Sequence, residues 1–165
     1  MNSITQLSLK THLHYSPDSG EFTWIAPNPH ARRIRVGDRA GRSLKSRYIQ
    51  IGISGKYYLA HRLAFLYMTG KFPHKTVDHI NGDPSDNRWK NLREVTNQDN
   101  SRNSAKSLRN TSGVIGVTWN AGVNKWIANI CGKHIGCYAD YQEAVDARKA
   151  AETTHNFHLN HGRSK

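Results

Sequence analysis

The chain has 165 residues, with 24 Lys and Arg against 12 Asp and Glu and a formal charge of +12; its mean hydropathy is -0.74. This length excludes a large multi-lobed enzyme and allows one modest core or two small ones, and no apolar run approaches the roughly 18 residues that cross a bilayer. The cationic surplus points to a polyanionic partner, because each Lys or Arg laid on a phosphate releases condensed counterions.

The opening text, MNSITQLSLKTHLHYS, lacks a basic stretch followed by an apolar one, so secretion is not expected from it. Cys131 and Cys137 alone do not make a disulfide framework, and reduced thiols are expected. Residues 15–59 alternate apolar and polar positions between turn signals and read as short strands, clearest over 21–25 and 48–53. Between these two strands Arg32, Arg33, Arg35, Arg39, Arg42, Lys45 and Arg47 form a basic ribbon. Leu63, Ala64, Leu66 and Tyr67 stand at helical spacing, which predicts a helix over 60–69 stopped by Gly70 with Pro73 just beyond. A Ser/Asn/Lys/Arg-rich run over 104–112 reads as a tether, with the boundary at 105–111. Strands are expected over 113–120, 125–131 and 133–138. Asp140 and Glu143 then stand in capping-box spacing before a helix that buries Ala144, Val145, Ala147 and Ala151. The class is α+β. Charge is uneven: residues 1–75 carry +9, 76–111 carry +1 and 112–165 carry +2.

Residues 77–103 read VDHINGDPSDNRWKNLREVTNQDNSRN. Two short strands, around 77–80 and 92–96, flank a polar loop, and a helix follows from about Asn97. On an extended backbone Asp78 and His79 point to opposite faces, which separates a metal-ligating carboxylate from an imidazole. On the helix Asn100, Asn103 and Ser104 share a face, so the hairpin can set Asp78 opposite Asn100 as an oxygen site for a divalent cation. Such ligands suit magnesium or manganese better than zinc. Asn81-Gly82 and Asp86-Asn87 read as turn residues. A calcium loop starting at Asp78 fails, because Ile80 and Trp89 occupy its third and twelfth positions, and two cysteines without supporting ligands do not make a zinc site. His12, His14, His30, His74, His155, His158 and His161 lack such a context and read as surface residues.

The string over 60–104 resembles the HNH nuclease family with its ββα-metal (His-Me finger) motif, and residues 15–59 resemble the N-terminal region of phage-type HNH homing endonucleases. The resemblance implies that Asp78 and Asn100 are metal ligands, His79 is the general base, and Asn91 orients the base and ties the loop together. Asn103 or Ser104, or DNA phosphate and water, would complete the shell. His61, on the helix before, is an additional candidate near the site, while Arg62 beside it and the basic ribbon from Arg32 to Arg47 are expected to contact DNA. The C-terminal text SGVIGVTWNAGVNKWIANICGKHIGCYAD, within 112–152, resembles the Apetala-two or ethylene-response-factor DNA-binding domain. In that family a three-stranded sheet lies in the major groove, about 12 Å wide, with a helix behind it. Trp119, Lys125, Trp126, Asn129, Lys133 and His134 are the implied DNA-facing positions. The expected organisation is a nuclease domain over 1–104, a linker over 105–111 and a DNA-binding domain over 112–165. The expected function is site-directed, metal-dependent cleavage of double-stranded DNA. One Mg2+ or Mn2+ would serve a nicking monomer of phage type acting in a host cytoplasm. The rivals are a non-catalytic DNA-binding regulator and a non-specific nuclease.

Overall fold

In the computed structural model, which describes residues 4–27, 33–159 and 161–163, Thr5 caps an N-terminal helix by accepting from Ser8 N at 3.2 Å. This helix, α1 (Gln6–His12), was not expected. It spans seven residues and fully buries only Leu9, too short a stretch for a 3.6-residue period to show in the sequence.

The chain divides into two units, Met1–Asn97 and Gln98–Lys165. In the first, β1 (Leu13–Tyr15) and β2 (Phe22–Trp24) pair antiparallel. Their alternation buries Leu13, Tyr15, Phe22 and Trp24. A second sheet has the order β3 (Arg42–Ser43), β4 (Ile49–Ile53), β5 (Lys56–Leu59). The helix predicted from Leu63 to Tyr67 is α2 (Ala60–Thr69), and its cap residue Gly70 takes φ 79° and donates to Leu66 O at 3.0 Å, a left-handed stop that glycine adopts without penalty. Its buried face, Leu63, Ala64 and Leu66, joins Leu9, Tyr15, Phe22, Ile51 and Ile53 in one core. Each such Leu, Ile or Phe side chain contributes about 1.5–3 kcal/mol on burial. A two-stranded sheet of β6 (Thr76–His79) and β7 (Leu92–Val95) follows, close to the expected bounds, and Val77 and Leu92 tie it to the same core.

The short helix α3 (Asn97–Ser101) straddles the division. It ends before Asn103 and Ser104, so the expected helical face shared with Asn100 does not form. Beyond it, His158 N donates to Arg102 O at 3.2 Å, Gly162 N to Ser104 O at 2.9 Å and Lys106 N to Arg163 O at 2.8 Å. These bonds hold the start of the expected tether to the C-terminal segment. The division therefore falls earlier than 105–111.

In the second unit β8 (Val117–Asn120), β9 (Lys125–Ile130) and β10 (Lys133–Tyr138) form an antiparallel meander, followed by α4 (Tyr141–Thr154). Asp140 caps α4, accepting from Glu143 N at 3.0 Å, as the capping-box spacing predicts. Val117, Ala144 and Val145 form its core, with Trp126, Tyr138 and Tyr141 packed against them. Ala147 and Ala151 are half-buried, while Arg148, 2% exposed, takes the place expected for small residues. The molecule is mixed α and β with small antiparallel sheets. Cys131 and Cys137 are free thiols, and no described helix is long and apolar enough to cross a membrane.

Candidate active site

The β6–β7 hairpin sets the two central residues by register. Asp78 stands opposite Arg93 and His79 opposite Leu92. Alternation sends the two adjacent side chains to different surroundings. Asp78 Oδ2 accepts from Arg93 Nε at 3.0 Å and Nη2 at 2.8 Å, with the carboxylate side chain 8% exposed. Two hydrogen bonds from one guanidinium to one oxygen orient that carboxylate.

The imidazole of His79, in a residue 4% exposed, lies among rings: its centroid is 5.2 Å from His61, edge to face, and 5.9 Å from Tyr48. Its Nε2 is 3.3 Å from Asn87 Oδ1. The Asn87 amide is oriented by its own Nδ2, which donates to Ser85 O at 3.2 Å, so the oxygen faces the ring. An amide oxygen only accepts. His79 Nε2 therefore carries the proton, and the neutral ring has its lone pair on Nδ1. Burial pushes the His79 pKa below the ordinary imidazole value. The Asn87 bond and the charges of Asp78, Asp86 and Asp83 act the other way.

The roles read for a single asparagine are divided between two. Asn91 ties the loop: its Oδ1 accepts from Asn81 N at 3.0 Å, and its Nδ2 donates to Asn81 Oδ1 at 3.0 Å and to Asp86 O at 2.8 Å. Asn87, read from sequence as a turn residue, is 2% exposed and contacts the imidazole. Asp-Asn pairs are common in turns, so only the side chain's burial reveals the difference. The loop acids are structural: Ser85 N and Oγ both donate to Asp83 Oδ1. Arg88 Nε donates to Asp86 Oδ1 at 2.8 Å, and this pairing leads the effects that lower the Asp86 pKa to about 2.

His61, 6% exposed, has its Nδ1 buried without a hydrogen-bond partner among the described residues. Burial first, then the nearby His79 and Arg62, lower its pKa to about 3. It lines a cleft of about 690 Å³ with Tyr48, Arg62, His74 and Lys75; Arg62 itself donates to Pro73 O at 3.1 Å. Arg33, Arg35, Arg39, Arg42, Lys45 and Arg47 are exposed, while Arg32 and His30 lie outside the described residues. Two members of the ribbon carry acidic partners: Arg39 pairs with Glu21 at 3.2 Å and Arg47 with Asp83 at 3.0 Å. Arg42 donates to Gln50 at 3.0 Å and lies over the exposed Tyr57 ring.

In the second unit Asn100 is exposed on α3. Asn103 is 2% exposed and its Oδ1 accepts from Arg163 Nη1 at 3.2 Å. The C-terminal candidates divide between the two faces of their sheet. Trp119 and Trp126 are cross-strand partners with rings 5.2 Å apart, and Trp126 packs on Tyr141 at 4.8 Å. The tryptophans thus lie on the α4 side. Trp126 is half-buried core there, and Trp119 remains 46% exposed. Alternation turns Lys125 and Asn129 to the opposite face, and Lys125, Lys133 and His134 are exposed.

Asp78 offers a carboxylate oxygen, the donor type that a hard divalent cation takes, and Asn100 of the second unit carries an amide oxygen. Among the described residues no group of three or more His, Cys, Asp or Glu side chains is assembled for a metal. Water, amide and phosphate oxygens would have to supply the other positions, as magnesium accepts.

Comparison with known proteins yields one family model, HNH endonuclease, matching residues 58–102. No curated protein matches the chain. A solved structure of the HNH homing endonuclease I-HmuI, concerned with DNA binding and cleavage, is 28% identical, covering 56% of this chain and 51% of that one, with a TM-score of 0.42. The chain therefore spans about half the length of that protein. Asp78, His79, Asn87 and Asn91 all fall inside residues 58–102, the stretch that is similar to the HNH endonuclease family.

Proposed function

We propose that this protein is a metal-dependent, site-directed DNA endonuclease of homing type that nicks double-stranded DNA. The observation that supports this most is His79: a buried imidazole whose lone-pair nitrogen is fixed by Asn87, within a segment of HNH endonuclease type. Such a ring is neutral at physiological pH and can take a proton from water.

In this reading His79 Nδ1 accepts the proton of a water molecule as its oxygen attacks the phosphorus of a phosphodiester. The bond from phosphorus to the 3′-oxygen breaks and the departing oxygen takes a proton from solvent water, leaving a 5′-phosphate and a 3′-hydroxyl. Asn87 holds the ring and Asn91 holds the loop that carries Asn87. Asp78 and Asn100 would hold one Mg2+ or Mn2+, which when bound neutralises charge on the phosphate and on the departing oxygen. In the N-terminal unit Arg62, His74 and Lys75 line the cleft beside His61 and would receive the DNA backbone. Arg33, Arg35, Arg42 and Lys45 would extend that contact. In the C-terminal unit an Apetala-two-like reading is supported by three strands followed by a helix, with Lys125, Asn129, Lys133 and His134 as DNA contacts. One site cuts one strand per event, so a monomer suffices for nicking. A phage protein acting in the host cytoplasm is the setting that the resemblance suggests.

The test incubates supercoiled plasmid libraries with the full chain and Mg2+ or Mn2+, beside His79→Ala, Asp78→Ala and a chelator control. Nicked product from the native protein alone, lost with chelator, supports the proposal. Binding without cleavage by all three proteins would establish a non-catalytic regulator, and cleavage by His79→Ala would remove His79 as the base. Cutting without site preference would favour a non-specific nuclease.

A further inference from the structure

The loop that positions His79 is held from outside by a part of the chain more than sixty residues earlier. Tyr15, at the end of β1, is 1% exposed, and its hydroxyl donates to the backbone carbonyl of Asn87 at 2.7 Å. Two residues on, Pro17 O accepts from Trp89 N at 2.9 Å. At the turn into β2, Gly20 takes φ +76° and packs directly on the backbone of Asn87 and Arg88, with no room for a Cβ. The β1–β2 turn therefore contacts the backbone of the residue whose side chain meets the imidazole and of the two residues that follow it. The Tyr15 ring cannot drift from this post, because it stacks on Phe22 at 4.7 Å and meets Tyr67 at 5.7 Å. Burial, with a smaller contribution from Asp86, raises the phenol's pKa well above its ordinary value, so the hydroxyl remains a proton donor wherever the protein is folded.

We infer that Tyr15 is a positioning residue for catalysis: through the Asn87 carbonyl it fixes the amide that sets the tautomer and rotation of His79. The inference rests on the proposed role of His79 as general base, and it assigns the N-terminal hairpin a share in the chemistry rather than in folding alone. The relay is short and stiff. Tyr15 Oη bonds Asn87 O, and Asn87 Oδ1 bonds His79 Nε2, with every member buried. Without the hydroxyl, the Asn87 carbonyl loses a bond that no water replaces in a packed interior, and its residue is free to turn the amide.

Tyr15→Phe tests this in the full-length protein, since it removes one oxygen and keeps the ring contacts; near-ultraviolet circular dichroism checks that the fold is retained. The expected result is a kcat lower by about tenfold with KM and DNA affinity changed by less than about twofold. Asn87→Ala should show the same pattern, and Tyr15→Phe combined with Asn87→Ala should be no slower than Asn87→Ala alone. The 15N shifts of the His79 ring give a readout independent of cleavage: an Nε2-protonated ring in the native protein and a tautomer mixture in Tyr15→Phe. Unchanged kcat and unchanged ring shifts, with only a lower Tm, would overturn the inference and leave Tyr15 a core residue. Full additivity in the double variant would overturn the route through Asn87. If the native protein cuts no DNA yet its ring shifts respond to Tyr15→Phe, the nuclease reading fails while the coupling stands; if neither holds, both fail.

Discussion

Acid should destabilise the N-terminal unit through His61. The residue is 6% exposed, and burial, followed by the fields of His79 and Arg62, lowers its pKa from 6.5 to about 3. An imidazole kept neutral in the fold but free to protonate in the unfolded chain makes the unfolded state bind more protons between those two values. Stability therefore rises with pH across the window: the contribution is complete above about pH 6.5 and is lost progressively toward about pH 3. At about pH 5 the gap below the unfolded value is about 1.5 pKa units, which at about 1.36 kcal/mol per unit is about 2 kcal/mol. For a domain of about 100 residues that is on the order of 10 °C in Tm. The comparison is between native protein and His61→Phe, which keeps an aromatic ring beside Tyr48 and His79 but cannot protonate. Thermal unfolding followed by circular dichroism from about pH 7.5 to about pH 5 should show a native Tm falling by about 10 °C more than that of the variant. A residual slope in the variant belongs to His79 and His161, whose pKa values burial also lowers. Parallel lines of Tm against pH for the two proteins would refute the reasoning, because they would show that His61 titrates alike in both states.

Gly20→Ala should cost about 2 kcal/mol or more in urea unfolding, since it combines a left-handed φ with a collision at the Asn87–Arg88 backbone. It should also slow plasmid nicking although it lies outside the catalytic hairpin. Asn91→Ala leaves Asn81 N and Asp86 O without their loop bonds; nicking should fall by about 100-fold while DNA affinity, read by fluorescence anisotropy, changes by less than about threefold. Replacing Arg33, Arg35 and Arg42 together by Ala should reduce the slope of log K against log salt by about 3 if each neutralises one phosphate. An unchanged slope would place the DNA elsewhere on the molecule.

Much of the architecture is legible in the residue pattern because it is written in local rules. The Gly70 stop, the Asp140 cap and the apolar spacing of Leu63 and Leu66 each act within one or two turns, and they predict α2 and the start of α4. The alternation of Asp78 and His79 is equally local, a consequence of two-residue strand periodicity. What fails is what depends on partners distant in sequence. The α1 helix has too few apolar residues to announce itself and forms beside α2, where Gln6 Nε2 donates to Tyr67 O at 2.7 Å. The run over 104–112 has a linker's composition, yet its start is fixed by backbone bonds to 158–163. Trp126 has the look of a ligand-facing aromatic, but the strand pairing turns it toward α4.

The candidate site shows the same division. Sequence alone supplied the candidates, Asp78, His79, Asn91 and Asn100 in a strand–loop–strand–helix order, and it determined the positive surplus concentrated before residue 76. Only tertiary structure decided that Asn87 meets the imidazole, that Asp78 is held by Arg93, that His61 is buried neutral beside His79, and that Tyr15 braces the loop from the N-terminal hairpin. The reason is physical: residue type and spacing specify which groups are available and which face of an element they occupy. Burial, tautomer and hydrogen-bond partner are set by atoms brought from elsewhere in the chain.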